Sequence, residues 1–128
     1  GYCGLQTAAL AFGGEIGPHT NLTEEYDGTS WTAGGVLGTA RYAMAGAGTQ
    51  TAALSAGGTP PITAATELYD GTSWTANPTG LNTSRLGLGG AGTQAAGLVF
   101  GGSNPASVAA TEEWTGPGAA VTKTITVS

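Results

Sequence analysis

The nonapeptide Glu67-Leu68-Tyr69-Asp70-Gly71-Thr72-Ser73-Trp74-Thr75 occurs almost verbatim 43 positions upstream, as Glu24-Glu25-Tyr26-Asp27-Gly28-Thr29-Ser30-Trp31-Thr32. A third, decayed copy is Thr111-Glu112-Glu113-Trp114-Thr115-Gly116. Each copy reads as an extended run, a tight Asp-Gly turn and a second extended run. Asp-Gly between extended runs is a strong short-range hairpin signal, because both residues tolerate positive φ.

Other blocks keep almost the same period. Gln6-Thr7-Ala8-Ala9-Leu10-Ala11-Phe12-Gly13-Gly14 returns 44 residues on as Gln50–Gly58, and again as Gln94–Gly102. Arg41–Thr49 matches Arg85–Thr93 at the same spacing. Such self-similarity marks a repeat architecture. Helix is disfavoured, since glycine recurs every few residues and costs up to about 1 kcal/mol per site in a helix interior. The runs between turns hold Thr, Val, Tyr and Trp, which favour strands. Prolines fall only between blocks, where a missing N–H costs no ladder bond.

One full unit therefore reads as four short strands: Arg41–Ala47, a Gly48-Thr49 turn, Gln50–Ala56, a loop with Pro60 and Pro61, Ala64–Tyr69, the Asp70-Gly71 turn, and Ser73–Thr75. Four strands in a period of 40 to 50 residues is the signature of a β-propeller blade. The arrangement resembles the kelch repeat. Arg41 and Arg85 stand before strand one. The pairs Gly13-Gly14, Gly57-Gly58 and Gly101-Gly102 follow strand two. Tyr26, Tyr69 and Trp114 end strand three, and Trp31 and Trp74 lie on strand four. The period is short for that family, and the strands are richer in Ala, Gly and Thr. In that texture the chain resembles the kelch-like arrays in structural and tail-fibre proteins of tailed phages. The resemblance implies an all-β fold of antiparallel blades and a structural or adhesive role on a virion or outside the cell. It also implies host-surface glycan as a candidate partner.

Counting strands divides the chain into 1–48 (blade one without its first strand, plus the first strand of blade two), 49–92 and 93–128, all in one domain. The tail Val121-Thr122-Lys123-Thr124-Ile125-Thr126-Val127 alternates with period two and reads as a strand. It would complete blade three in its own chain or be donated to a neighbour. The total is about eleven strands, nearly three blades. Three blades cannot close a propeller of four to eight, and open blades expose unpaired edges. Assembly is expected: a dimer, a trimer or a filament. The alternative is that other blades of a longer chain complete the ring.

The 128 residues carry 24 glycines, three basic and eight acidic residues, and a net charge of −5. With a 40% hydrophobic share, charge-driven disorder is not expected. Three cations cannot neutralise a phosphate track, so nucleic acid is not an expected partner. No apolar run approaches the roughly 20 residues that span a bilayer. The start Gly1-Tyr2-Cys3-Gly4 shows no signal-peptide pattern. Cys3, the lone cysteine, reads as a bystander and leaves the redox compartment open.

No catalytic constellation stands out, and no cofactor or metal is expected. His19, the only histidine, sits in a Gly17-Pro18-His19-Thr20 loop without the partners a zinc or copper site needs. Glu24, Glu67 and Glu112 share a repeat position. Paired carboxylates could perform glycoside hydrolysis, but a residue repeated in every unit reads as scaffold, with Arg41 and Arg85 as the natural partners. The aromatics read as inter-blade packing rather than sugar platforms. Ligand contacts would fall in the unlike loops, at His19, Pro60, Pro61 and Asn104. Asn21 and Asn82 begin sequons that matter only in a glycosylating pathway.

Overall fold

A computed structural model of the chain describes residues 1–115 and the strand at 121–123. Among the described residues the fold is all-β and antiparallel. The first sheet is β1 (Tyr2–Leu5), β2 (Ala8–Glu15), β3 (His19–Tyr26) and β4 (Trp31–Ala33). The second is β5 (Ala45–Thr49), β6 (Ala52–Ala56), β7 (Thr66–Tyr69) and β8 (Trp74–Asn77). In the third, β9 (Gly89–Gly92) and β10 (Gly97–Phe100) are followed by a small ribbon, β11 (Ser103–Asn104) and β12 (Ala106–Ser107). Then come β13 (Thr111–Trp114) and β14 (Val121–Lys123). Within each four-stranded sheet the strands lie in chain order.

The first unit is therefore complete, which corrects the reading of 1–48 as lacking its first strand. Tyr2–Leu5 pairs with β2, Tyr2 opposite Ala11 and Leu5 opposite Ala8. A turn at Gln6-Thr7 separates the two strands. The same shift applies in unit two. The hairpin turns at Gln50-Thr51, not at Gly48-Thr49, because Thr49 pairs with Ala52 and Gly48 with Ala53. Gly48 has φ +104 and lies inside the strand. A Cβ there would meet the Ala52 carbonyl oxygen at 2.2 Å. The glycine permits a strand distortion beside the turn rather than the turn itself.

The Asp-Gly turns also differ in kind from the two-residue hairpin that the dipeptide signals. Four residues, Asp70–Ser73, separate Tyr69 from its partner Trp74. Gly71 takes the positive φ, +91, while Asp70 accepts hydrogen bonds on Oδ1 from the Thr72 and Ser73 amides at 2.9 and 2.8 Å. Asp27 does the same for Thr29 and Ser30, both at 2.8 Å. Aspartate serves here as a side-chain cap on the turn. These amide bonds favour the ionised form and hold both carboxyls below the ordinary aspartate value.

Two cores lie between successive sheets. Leu10 and Phe12 of β2 meet Ala53 and Tyr69 of the second sheet, with Leu37 and Met44 from the connection. Ala45, Leu54 and Ala56 meet Val99 and Trp114 of the third sheet, with Leu81 and Leu88. Adjacent residues of β6 thus serve opposite cores, Ala53 one and Leu54 the other, as a strand buried on both faces requires.

The first strands β1, β5 and β9 lie side by side, β1 against β5 and β5 against β9. Their approach explains the Gly/Ala texture. A Cβ on Gly46 would lie 2.3 Å from the Tyr2 carbonyl oxygen, and one on Gly90 would lie 2.7 Å from that of Gly46. Gly46→Ala places a methyl against backbone that cannot yield. It is expected to cost about 1–3 kcal/mol by overpacking, read as a lowered urea midpoint at unchanged slope.

The described part of the tail, Val121–Lys123, pairs with β13 of its own chain, Glu113 opposite Val121 and Thr111 opposite Lys123. Thr124, Ile125, Thr126 and Val127 lie outside the described residues. Among the described residues, no helix is long and apolar enough to cross a membrane.

Candidate functional site

The repeated arginine and glutamate form one joint in each of the second and third units. Arg41 precedes β5 and is buried. One guanidinium nitrogen donates to the Gly57 and Ala65 carbonyls, at 2.9 and 3.1 Å. The other donates to Ser55 Oγ at 3.3 Å and to Glu67 Oε2 at 2.7 Å. Glu67 Oε1 accepts from the Gly38 amide at 2.7 Å. Burial lowers the Arg41 pKa from its ordinary value, and Glu67 opposes that shift. Arg85 repeats the set. It donates to the Gly101 and Ala110 carbonyls at 3.1 and 2.6 Å and pairs with Glu112 Oε2. Glu112 Oε1 accepts from the Asn82 amide at 2.5 Å. Each joint ties the chain before strand one to the Gly-Gly end of strand two and to strand three. The glycine pairs also link successive units: the Gly14 and Gly58 amides donate to the Arg41 and Arg85 carbonyls, both at 2.9 Å.

Glu24, the third acid at this repeat position, is exposed. Its arginine counterpart would fall upstream of residue 1. Glu67 and Glu112 are each committed to a separate ion pair. Among the described residues, no three His, Cys, Asp or Glu side chains gather as a metal site would need.

The aromatics form a second kind of joint. Tyr69 is 0% exposed and lies 4.9 Å from Trp74, which in turn lies 4.8 Å from Phe12 of the first sheet. Tyr69 donates its hydroxyl proton to Glu25 Oε1 at 2.5 Å, and Trp74 Nε1 donates to Thr23 Oγ1 at 2.9 Å. Both bonds run from the second sheet to the first. Trp114 takes the Tyr69 position in the third sheet and is buried, with no partner for its Nε1 among the described residues. Tyr26 pairs with Trp31 at 5.0 Å on the first sheet, where Trp31 is 50% exposed.

Burial, and then the hydrogen bond to Glu25, push the Tyr69 phenol up to about 12 from 10.0. The unfolded chain therefore ionises first. This contribution is complete below pH 10 and lost as pH rises towards 12, by roughly 2–3 kcal/mol. Urea titrations at pH 9, 10 and 11.5 should show a fall in stability that is smaller in Tyr69→Phe. An equal fall in both would contradict the assignment.

The loop residues do not converge. His19 is the first residue of β3 rather than a loop residue, and stacks on Tyr42 at 5.1 Å. Pro60 and Pro61 line a cleft of ≈ 470 Å³ with Thr39, Arg41, Glu67 and Asn77. Asn104 is exposed on the small ribbon. Asn21 Nδ2 donates to the Leu37 carbonyl at 3.0 Å, and Asn82 supplies the backbone amide to Glu112.

A joint that the sequence reading missed is made by glutamine. Gln50 Nε2 donates to the Ala9 and Tyr26 carbonyls at 3.0 and 2.8 Å, and Gln94 Nε2 to those of Ala53 and Tyr69 at 2.9 and 2.7 Å. Each side chain reaches from the first hairpin of one sheet to strands two and three of the sheet before it. The 44-residue recurrence of Gln was the available signal. It is hidden once these residues are placed inside a strand rather than in the turn.

No family model and no curated protein matches the sequence. Among solved structures, the chain is similar to the structure of YjhT, with a TM-score of 0.76 and 12% identity. The match covers 96% of this chain and 44% of that one, so the chain spans less than half the length of that structure. At this identity the likeness concerns the fold alone.

Proposed function

We propose that the chain is a non-catalytic structural module whose three sheets are successive kelch-like propeller blades. It serves as part of a multi-chain extracellular or virion particle, such as a tail fibre, with exposed loops available to surface glycans. The observation that carries this reading is the use of the repeated functional-looking residues as joints. Arg41, Arg85, Glu67 and Glu112 are spent in buried ion pairs, and Tyr69 and Trp74 bridge one sheet to the next. The side-by-side first strands and the resemblance to kelch-like arrays support the blade assignment. Donation of the tail strand is not favoured, since Val121–Lys123 pairs in its own chain.

Negative-stain images of the purified chain are expected to show discrete rings or rods. A panel of polysaccharides should be bound or ignored, but not cleaved. Cleavage that is lost in Glu67→Gln would overturn the non-catalytic reading.

A further inference from the structure

Of the contacts that carry one sheet onto the next, the glutamine contact is made twice, and the tyrosine–tryptophan contact once, from the second sheet to the first. Gln50 and Gln94 each donate to two carbonyls of the preceding sheet. Tyr69 and Trp74 donate to Glu25 and Thr23 of the preceding sheet. One unit earlier, the donor positions are held by Gln6, Tyr26 and Trp31 on the first sheet. One unit later, the acceptor positions are held by Gly97 O, Trp114 O, Glu113 and Thr111 on the third. The described residues thus carry one set of donors on the first sheet and one set of acceptors on the third.

Four observations match the two ends. Tyr69 is fully buried by the preceding sheet, whereas Tyr26 is only half-buried and Trp31 is 50% exposed. Gly97 and Trp114 line an open groove of ≈ 250 Å³, where the glutamine amide would enter. Thr111 Oγ1, the counterpart of the oxygen that receives Trp74, is buried without a partner among the described residues. The residue types also vary together. Tyr69 faces Glu25, while Trp114, which has no hydroxyl to donate, packs in a core flanked by Leu68 at the Glu25 position. Tyr26 and Glu113 would restore the Tyr–Glu combination.

We propose that a second copy of this chain docks head to tail on the third sheet. Its Gln6 amide sits on the Gly97 and Trp114 carbonyls, its Tyr26 lies beside Glu113, and its Trp31 lies over Thr111. The proposal rests on the reading of the sheets as successive, equivalent units. The contact is heterologous, so two copies close a ring or further copies extend a rod. One residue departs from the pattern. Tyr2, 82% exposed, stands where Gly46 and Gly90 let neighbouring first strands approach. It keeps β1 further from a partner's β9 and makes the junction between copies looser than those within the chain.

Sedimentation of the 128-residue chain over a range of concentrations tests this. Species at multiples of the 12.4 kDa chain mass are expected. Gln6→Ala and Trp31→Ala, both exposed in the single chain, should each weaken association about tenfold, the effect of one or two lost hydrogen bonds. Tyr2→Gly should strengthen it. A 12.4 kDa species at every concentration, in the wild type and in Tyr2→Gly, overturns the proposal and assigns the groove to another occupant. Association indifferent to Gln6→Ala and Trp31→Ala overturns it as well. Side-chain amide exchange separates the two levels. Protected Gln50 and Gln94 in a persistent monomer would sink the docking alone. Unprotected ones would sink the reading of successive units beneath it.

Discussion

Arg85→Ala is expected to destabilise the chain by about 3–5 kcal/mol, the cost of leaving a buried carboxylate without its counter-charge. Arg85 is 0% exposed and Glu112 hardly more, so water cannot replace the guanidinium. The loss extends beyond the pair. The Gly101 and Ala110 carbonyls lose a side-chain donor, which loosens the end of β10 and the approach to β13. Domains have only about 5–15 kcal/mol of stability in total, so the variant should unfold at a much lower urea concentration. The double variant Arg85→Met/Glu112→Leu should recover part of the loss, because no charge is then stranded. Full recovery is not expected, since the two carbonyls and the Asn82 amide remain without their side-chain partners. A single variant within about 1 kcal/mol of wild type would mean that the pair is solvated, as exposed pairs are. The joint would then not be a scaffold element.

Trp114→Ala should cost a similar amount, about 3–5 kcal/mol, for a different reason. The indole fills the core between the second and third sheets, against Leu54, Leu88 and Val99. Truncation leaves a cavity that the short strands around it can only partly close. The informative control is Trp114→Phe. The indole N–H is buried without a partner among the described residues, so its removal relieves an unsatisfied donor while most of the apolar contact remains. That variant should lose far less than alanine does. Tyr69→Phe at the same repeat position should behave oppositely, because its hydroxyl bonds Glu25 and accepts from the Gly35 amide at 3.3 Å. Urea midpoints of the four proteins order these effects. Equal losses for Trp114→Phe and Trp114→Ala would contradict the packing described.

Much of this was legible in the sequence, and the residues show why. A turn aspartate and a strand-ending tyrosine recur because the local geometry recurs, so the 44-residue period carried the strand order and the Arg–Glu partnership. What escaped was conformation that residue type does not fix. Gly48 looks like a turn residue, but its positive φ lies within β5, and that displaced the hairpin by two residues. The same displacement hid β1 and left unit one apparently incomplete. Asp70 caps its turn through Oδ1 rather than by adopting positive φ. The Gly/Ala texture of the first strands gave no hint of its cause, which is backbone approach between sheets distant in sequence. The glutamines were seen as repeats, but a reach across to another sheet is a tertiary contact with no local signature.

Those glutamines give the most direct test. Gln6, Gln50 and Gln94 are the three glutamines of the chain, one per unit. Side-chain amide hydrogen exchange, followed by NMR on dilute protein, reads all three at once. If successive sheets are latched alike, Gln50 and Gln94 exchange slowly while Gln6 exchanges freely, and Gln6 becomes protected as concentration rises. Three side chains that exchange alike and fast would contradict the account, because the sheets would then not be joined as successive units.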